Sequence, residues 1–93
     1  MKKSLVLSPT VLKRLRALPE SEKVAAVLAV LELGAAFGNP HVHSGLGIRK
    51  LIGRIFECRA GLTQRFVFQE TTDALVVVFL GNHDEVRRWL RDL

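Results

Sequence analysis

The chain has 93 residues, 48% hydrophobic and 25% charged, with a net charge of +5 and a pI of about 10.2. Such values argue against a disordered chain and describe one small folded domain, whose modest core leaves room for a partner to add stability. No apolar run nears the roughly 18–20 residues of a membrane span, and the basic balance favours nucleic acid, an acidic protein or an anionic surface as partner.

Ser4 to Leu7 is short and β-prone and reads as a first strand. Ser8-Pro9 is a helix start, because Ser can cap free amides and Pro fits the first helical position. Val11, Leu12, Leu15 and Leu18 then recur at helical spacing, with Lys13, Arg14 and Arg16 mostly off that stripe. Pro19 ends this helix, and Ser21 and Glu22 can start a second one. Its expected apolar stripe is Val24, Val27, Leu28, Leu31 and Ala35, with Ala25, Ala26 and Ala29 around it. The two helices read as a hairpin, closed by Gly38-Asn39-Pro40.

Residues 38–47 hold three glycines, a proline, a serine, His41 and His43, and read as a loop. Ile48 to Ile52 begins a β half. From Ile55 to Arg59 the pattern alternates, with Ile55, Glu57 and Arg59 on one face and Phe56 and Cys58 on the other. Ala60 to Thr63 turns the chain, and Arg65 to Gln69 alternates again. After Thr71-Thr72-Asp73, the continuously apolar Ala74 to Leu80 reads as a central buried strand. A short helix from Asp84 to Leu93 follows, with Val86, Trp89, Leu90 and Leu93 at helical spacing and Asp84 as its expected N-cap. Nothing suggests a second domain.

The chemistry concentrates in the β half. Arg49, Lys50, Arg54, Arg59 and Arg65, five of the fourteen basic residues, fall within seventeen positions, where Glu57 is the one acid. Guanidinium is always charged and grips phosphate bidentately, so such a group on a rigid sheet either holds a phosphodiester or forms a solvated face. A hairpin would bring Arg59 and Arg65 together. His83 stands where strand meets helix, and imidazole suits proton transfer near neutral pH. Glu57, on the same strand face as Arg59, is either a general base or that arginine's salt-bridge partner. His41 and His43 alternate around Val42 without a third metal ligand suggested by spacing. Cys58, the single cysteine, excludes an internal disulfide and reads as a small core residue. Tyrosine is absent and the aromatics fall at core-facing positions, which disfavours a base-stacking platform.

In order and spacing these pieces resemble the RelE/ParE superfamily of toxins from toxin–antitoxin pairs, over nearly the whole chain. Leu7-Ser8-Pro9 and the helical hairpin come first. Ile48-Arg49-Lys50-Leu51-Ile52-Gly53 looks like the family's "(R/K)KL-x-G" segment, and Ile55-Phe56-Glu57-Cys58-Arg59 is similar to "x-Y-E-x-R". Arg65-Phe66-Val67-Phe68 matches "R-x-x-F/Y", and Val78 to Val86 looks like "V-G-x-(H/R)-x-E-V-Y". The resemblance implies an α+β fold: an N-terminal strand and helical hairpin on a largely antiparallel sheet of about four strands, with a short C-terminal helix. It implies a metal-independent, ribosome-dependent mRNA endoribonuclease without cofactor, held by a cognate antitoxin in the cytoplasm. The antitoxin would bind apolar surface at the hairpin and the sheet edge. Arg59, Arg65, His83 and Glu57 become candidate catalytic residues, with Arg49, Lys50, Arg54 and Arg87 as RNA-binding support. Arg87 stands where the nuclease branch carries a tyrosine, so a ParE-like DNA gyrase inhibitor and a non-catalytic antitoxin-binding relic are the alternatives.

Overall fold

Ser8 opens the first helix as expected: its hydroxyl accepts the Val11 N–H at 3.2 Å and Pro9 takes the first helical position. The computed structural model describes residues 3–37 and 46–93, the side chain of Ala36 excepted. Chain order is β1 (Ser4–Leu7), α1 (Pro9–Ala17), α2 (Glu20–Ala36), β2 (Arg49–Ile52), β3 (Ile55–Arg59), β4 (Arg65–Glu70), β5 (Ala74–Gly81) and α3 (His83–Arg91). The expected closing turn at residues 38–40, with His41 and His43, lies outside the described residues.

One five-stranded sheet has the order β1-β5-β4-β3-β2. The four C-terminal strands are antiparallel neighbours, and β1 joins as the fifth, parallel to β5, with Ser4 opposite Ala74 and Leu7 opposite Val77. The apolar β5 is thus flanked on both sides, as its composition predicts. Gly53, at φ 53°, and Arg54 form the two-residue connection between β2 and β3, a place where positive φ favours glycine.

The hydrophobic core lies between the helical hairpin and one sheet face. Phe66, Phe68, Cys58, Leu75, Val77 and Leu80 rise from the strands to meet Val11 of α1 and Ala26, Ala29, Val30 and Leu33 of α2. Phe37, just past α2, stands edge-on to Phe56 and Phe68 at centroid distances of 5.1 and 5.4 Å. On the opposite sheet face α3 lays Trp89 on Phe79, with ring centroids 5.9 Å apart.

Two sequence expectations are corrected here. The stripe Val24, Val27, Leu28 and Leu31 is not buried; these side chains are 39–68% exposed, and Ala26, Ala29, Val30 and Leu33 face the core instead. The helix is apolar around most of its circumference, so periodicity does not choose a face. The alanine-bearing face lets the backbone sit close on the sheet, and the bulkier side chains remain outside. The second correction concerns α3, whose N-cap is Asn82 rather than Asp84. Asn82 accepts the Glu85 N–H while Glu85 accepts the Asn82 N–H, a reciprocal box that fixes the cap two residues earlier.

Candidate functional site

Register decides which charges meet. Arg49 lies opposite Glu57, Glu57 opposite Val67, and Val67 opposite Phe79, so these four share the sheet face turned away from the hairpin. Glu57 is only 2% exposed and pairs with two arginines through one oxygen. Arg49 Nη2 is 2.8 Å and Arg65 Nη1 3.4 Å from its Oε1. Glu57 is a salt-bridge partner, but of Arg49 and Arg65 rather than of the expected Arg59, whose side chain turns to Gly47: a buried carboxylate meets two guanidinium groups from neighbouring strands.

Arg65 also lies opposite Gly81, the last residue of β5. Two residues beyond Gly81, His83 begins α3 and is exposed, and Arg87 follows one helical turn later on the same flank, exposed as well. The β5–α3 junction therefore carries His83 and Arg87 to the end of the sheet where Arg65 stands. Arg49, Glu57 and Arg65 form one ion-pair cluster, and His83 opens the helix that leaves the strand end opposite Arg65.

Arg59, Arg54 and Lys50 have different surroundings. Arg59 is the direct partner of Arg65, as the hairpin predicts, but its side chain lies against Gly47. There it lines a groove of about 380 Å³ with Leu28, Ala29 and Glu32 of α2 and Leu62 of the β3–β4 turn. A Cβ on Gly47, whose φ is 59°, would stand 3.2 Å from Arg59 Nε, so glycine makes room for this path. Arg54 sits at the other end of β3, roughly 17 Å away at the rise of an extended strand. Its Nε is 3.9 Å from Glu70, which Lys3 also approaches at 3.5 Å. Lys50 opposes Phe56 and so faces the other side of the sheet from Arg49.

Cys58 lies in the core, where burial first and the Glu57 charge second push its thiol up to about 12. At neutral pH it is a protonated core side chain. Among the described residues, no three His, Cys, Asp or Glu side chains converge as a metal site. Among them, too, no helix is long and apolar enough to cross a membrane.

Sequence reasoning missed two residues at this site, Arg14 and Glu85. Arg14 Nη2 reaches Glu85 Oε2 at 2.6 Å, across seventy-one positions. The Asn82-x-x-Glu85 spacing is itself a capping-box signature and could have located the true start of α3. Nothing local signals the pairing with Arg14.

A scan of protein-family models finds no match, and a search of curated proteins finds no relative. Solved structures do match. A chain of the archaeal RelE–RelB complex from Pyrococcus horikoshii is similar at 17% identity with a TM-score of 0.70, the match covering 88% of this chain and 96% of that one. A chain of the RelBE2 toxin–antitoxin complex from Mycobacterium tuberculosis is similar at 16% identity and TM-score 0.67, covering 89% and 100%. A chain of the YoeB–YefM complex from Staphylococcus aureus is similar at 15% identity and TM-score 0.61, covering 89% and 99%. The chain has the fold of RelE- and YoeB-type toxins along nearly its whole length.

Proposed function

We propose that this protein is the toxin of a toxin–antitoxin pair and cleaves mRNA on the ribosome. The observation that carries the reading is the cluster of Arg49 and Arg65 on buried Glu57, at a strand end that faces Gly81, from which the helix bearing His83 and Arg87 departs. In the reaction the ribose 2′-oxygen attacks the adjacent phosphorus, the 5′-oxygen leaves, and a 2′,3′-cyclic phosphate remains. Arg49 and Arg65 offset the charge gained by the phosphoryl oxygens, and Arg87 holds a neighbouring phosphate. His83, exposed at the start of α3, protonates the leaving 5′-oxygen, and the 2′-hydroxyl proton passes to solvent water. Glu57, beneath the arginines, keeps them aimed. Arg87 stays charged near neutral pH and transfers no proton.

The antitoxin reading draws on a second surface. Val24, Val27, Leu28 and Leu31 form an exposed aliphatic row on α2, flanked by the groove that Leu62 and Arg59 help to line. A row of this kind is a docking face for an amphipathic helix, and the edge strands β1 and β2, with Val6 and Ile52 exposed, can accept an added strand. Expression of the protein alone in a bacterial host, with translation and DNA integrity followed separately, tests the reading. Rapid translation arrest with cut mRNA, relieved by the neighbouring antitoxin gene, is expected. DNA breaks with continuing translation would replace it by gyrase poisoning, and unimpaired growth by a binding-only role.

A further inference from the structure

A capping box needs one oxygen of its carboxylate. At the start of α3, Glu85 Oε1 accepts the Asn82 N–H at 2.9 Å while Asn82 Oδ1 accepts the Glu85 N–H at 2.8 Å. The other oxygen, Oε2, is engaged by Arg14 of α1 at 2.6 Å. Arg14 in turn lays its guanidinium carbon 5.6 Å from the centroid of Phe79, the ring on which Trp89 of α3 stacks. Gly81 closes the assembly from below: a Cβ there would meet Phe79 Cε2 at 2.8 Å and Glu85 Cβ at 3.0 Å, so Glu85 packs directly on the strand end.

These contacts constrain different things. The box alone fixes the first turn of α3 relative to its own connection with β5. The Arg14 contact ties that turn to α1, and the stack of Arg14, Phe79 and Trp89 couples α1, β5 and α3 into one unit. His83 lies inside the box, between Asn82 and Glu85. Among the described residues no side-chain hydrogen bond holds its imidazole, so its location is set by the backbone of this turn.

We infer that Arg14 and Glu85 are positioning residues, which together clamp the turn that carries His83 against the end of the sheet where Arg65 stands. The inference rests on the reading of His83 as a proton-transfer group. Displacing such a group by about 1 Å can cost 10²-fold in rate, whereas a single half-exposed ion pair such as this one contributes only modestly to global stability. Clamp loss is therefore a kinetic effect in a folded protein.

The test compares wild type with Arg14→Ala, Arg14→Lys and, as a control on the exposed side of α1, Lys13→Ala. Cleavage of mRNA in programmed ribosomes is measured with kcat and KM separated. Amide exchange and NMR shifts of residues 82–87 are recorded in parallel without RNA. Arg14→Ala is expected to lower kcat about 10–100-fold with KM within about twofold, because Arg49 and Arg65 remain. Its melting temperature should fall by at most about 8 °C. Arg14→Lys should restore part of the rate, since an ammonium can still pair with Oε2, and Lys13→Ala should change nothing. Shifts and exchange of residues 82–87 should change in Arg14→Ala while those of Leu75 to Val77 stay fixed. If Arg14→Ala cuts at the wild-type rate, the clamp is overturned. If wild type itself cuts nothing, the nuclease reading fails, and the spectra decide the clamp: unaltered signals at 82–87 in Arg14→Ala overturn it, and selective changes there sustain it.

Discussion

Replacing Glu57 separates its two readings, orienting anion and general base. Its carboxylate is 2% exposed and receives a 2.8 Å contact from Arg49 and a 3.4 Å contact from Arg65. The shorter contact is an ion pair and the longer one a hydrogen bond past the optimal distance, and together they fall in the range of one charge-assisted hydrogen bond, about 1.5–3 kcal/mol. Glu57→Ala removes both and leaves a void, for a total cost of about 2–4 kcal/mol. At about 4–8 °C per kcal/mol in a domain of this size, that is a large fall in melting temperature. Glu57→Leu fills the void and ends the desolvation of a carboxylate, while the arginines, 66% and 30% exposed, can return to water; its cost should stay below about 2 kcal/mol. Glu57→Gln keeps the shape and one acceptor oxygen and should cost about 1 kcal/mol. Urea unfolding measures these stabilities, and a pH–rate profile of RNA cleavage measures function. The orienting role predicts that Gln lowers the rate about tenfold without changing the form of the profile, a size in keeping with a misaligned clamp. Loss of the acidic limb in Glu57→Gln, or Leu as damaging as Ala, would refute the reasoning.

Further predictions concern the junction and the core. Gly81→Ala forces a methyl to within 2.8 Å of the Phe79 ring and should destabilise by about 1–3 kcal/mol in thermal melts, with the largest amide-exchange changes in α3. The Glu85 carboxyl is held below its ordinary 4.5, first by the Asn82 N–H and then by Arg14. A depressed carboxyl stabilises the fold above the unfolded value and loses that contribution as pH falls through the folded one. Amide protection of Glu85 and Val86 should accordingly weaken on acidification below pH 4.5, ahead of the core strands. Cys58, with its thiol pushed up to about 12 and its side chain buried, should resist alkylation at pH 8 in the native protein and react readily in denaturant.

The strands were legible in the sequence because their signals are local. Alternation around Phe56, Cys58, Phe66 and Phe68 placed the core face, and the unbroken apolar run of β5 announced a strand with neighbours on both sides. Helix α2 was legible as a helix but not in orientation, since both Val24-Val27-Leu28-Leu31 and Ala26-Val30-Leu33 satisfy the same period. The pairing of Arg59 with Arg65 followed from the hairpin, yet the path of the Arg59 side chain did not, because it depends on Gly47 and on the flank of α2. The division of the basic residues also escaped sequence reading: Arg54 and Lys50 belong to the same window as Arg49, but turn geometry and strand alternation send them elsewhere. Arg14 and Glu85 meet only through tertiary packing.

Cleavage by purified protein of mRNA bound in programmed ribosomes, with mapping of the RNA ends, tests the central claim most directly. Wild type is expected to leave 2′,3′-cyclic phosphate ends. His83→Ala and Arg65→Ala should each reduce the rate about 10²–10⁴-fold, the usual worth of acid–base or electrostatic assistance. Arg87→Tyr, which offers a hydroxyl on the same flank of α3 as His83, should preserve or raise it. Intact mRNA with both wild type and Arg87→Tyr, or cutting that persists unchanged in His83→Ala and Arg65→Ala, would contradict the account.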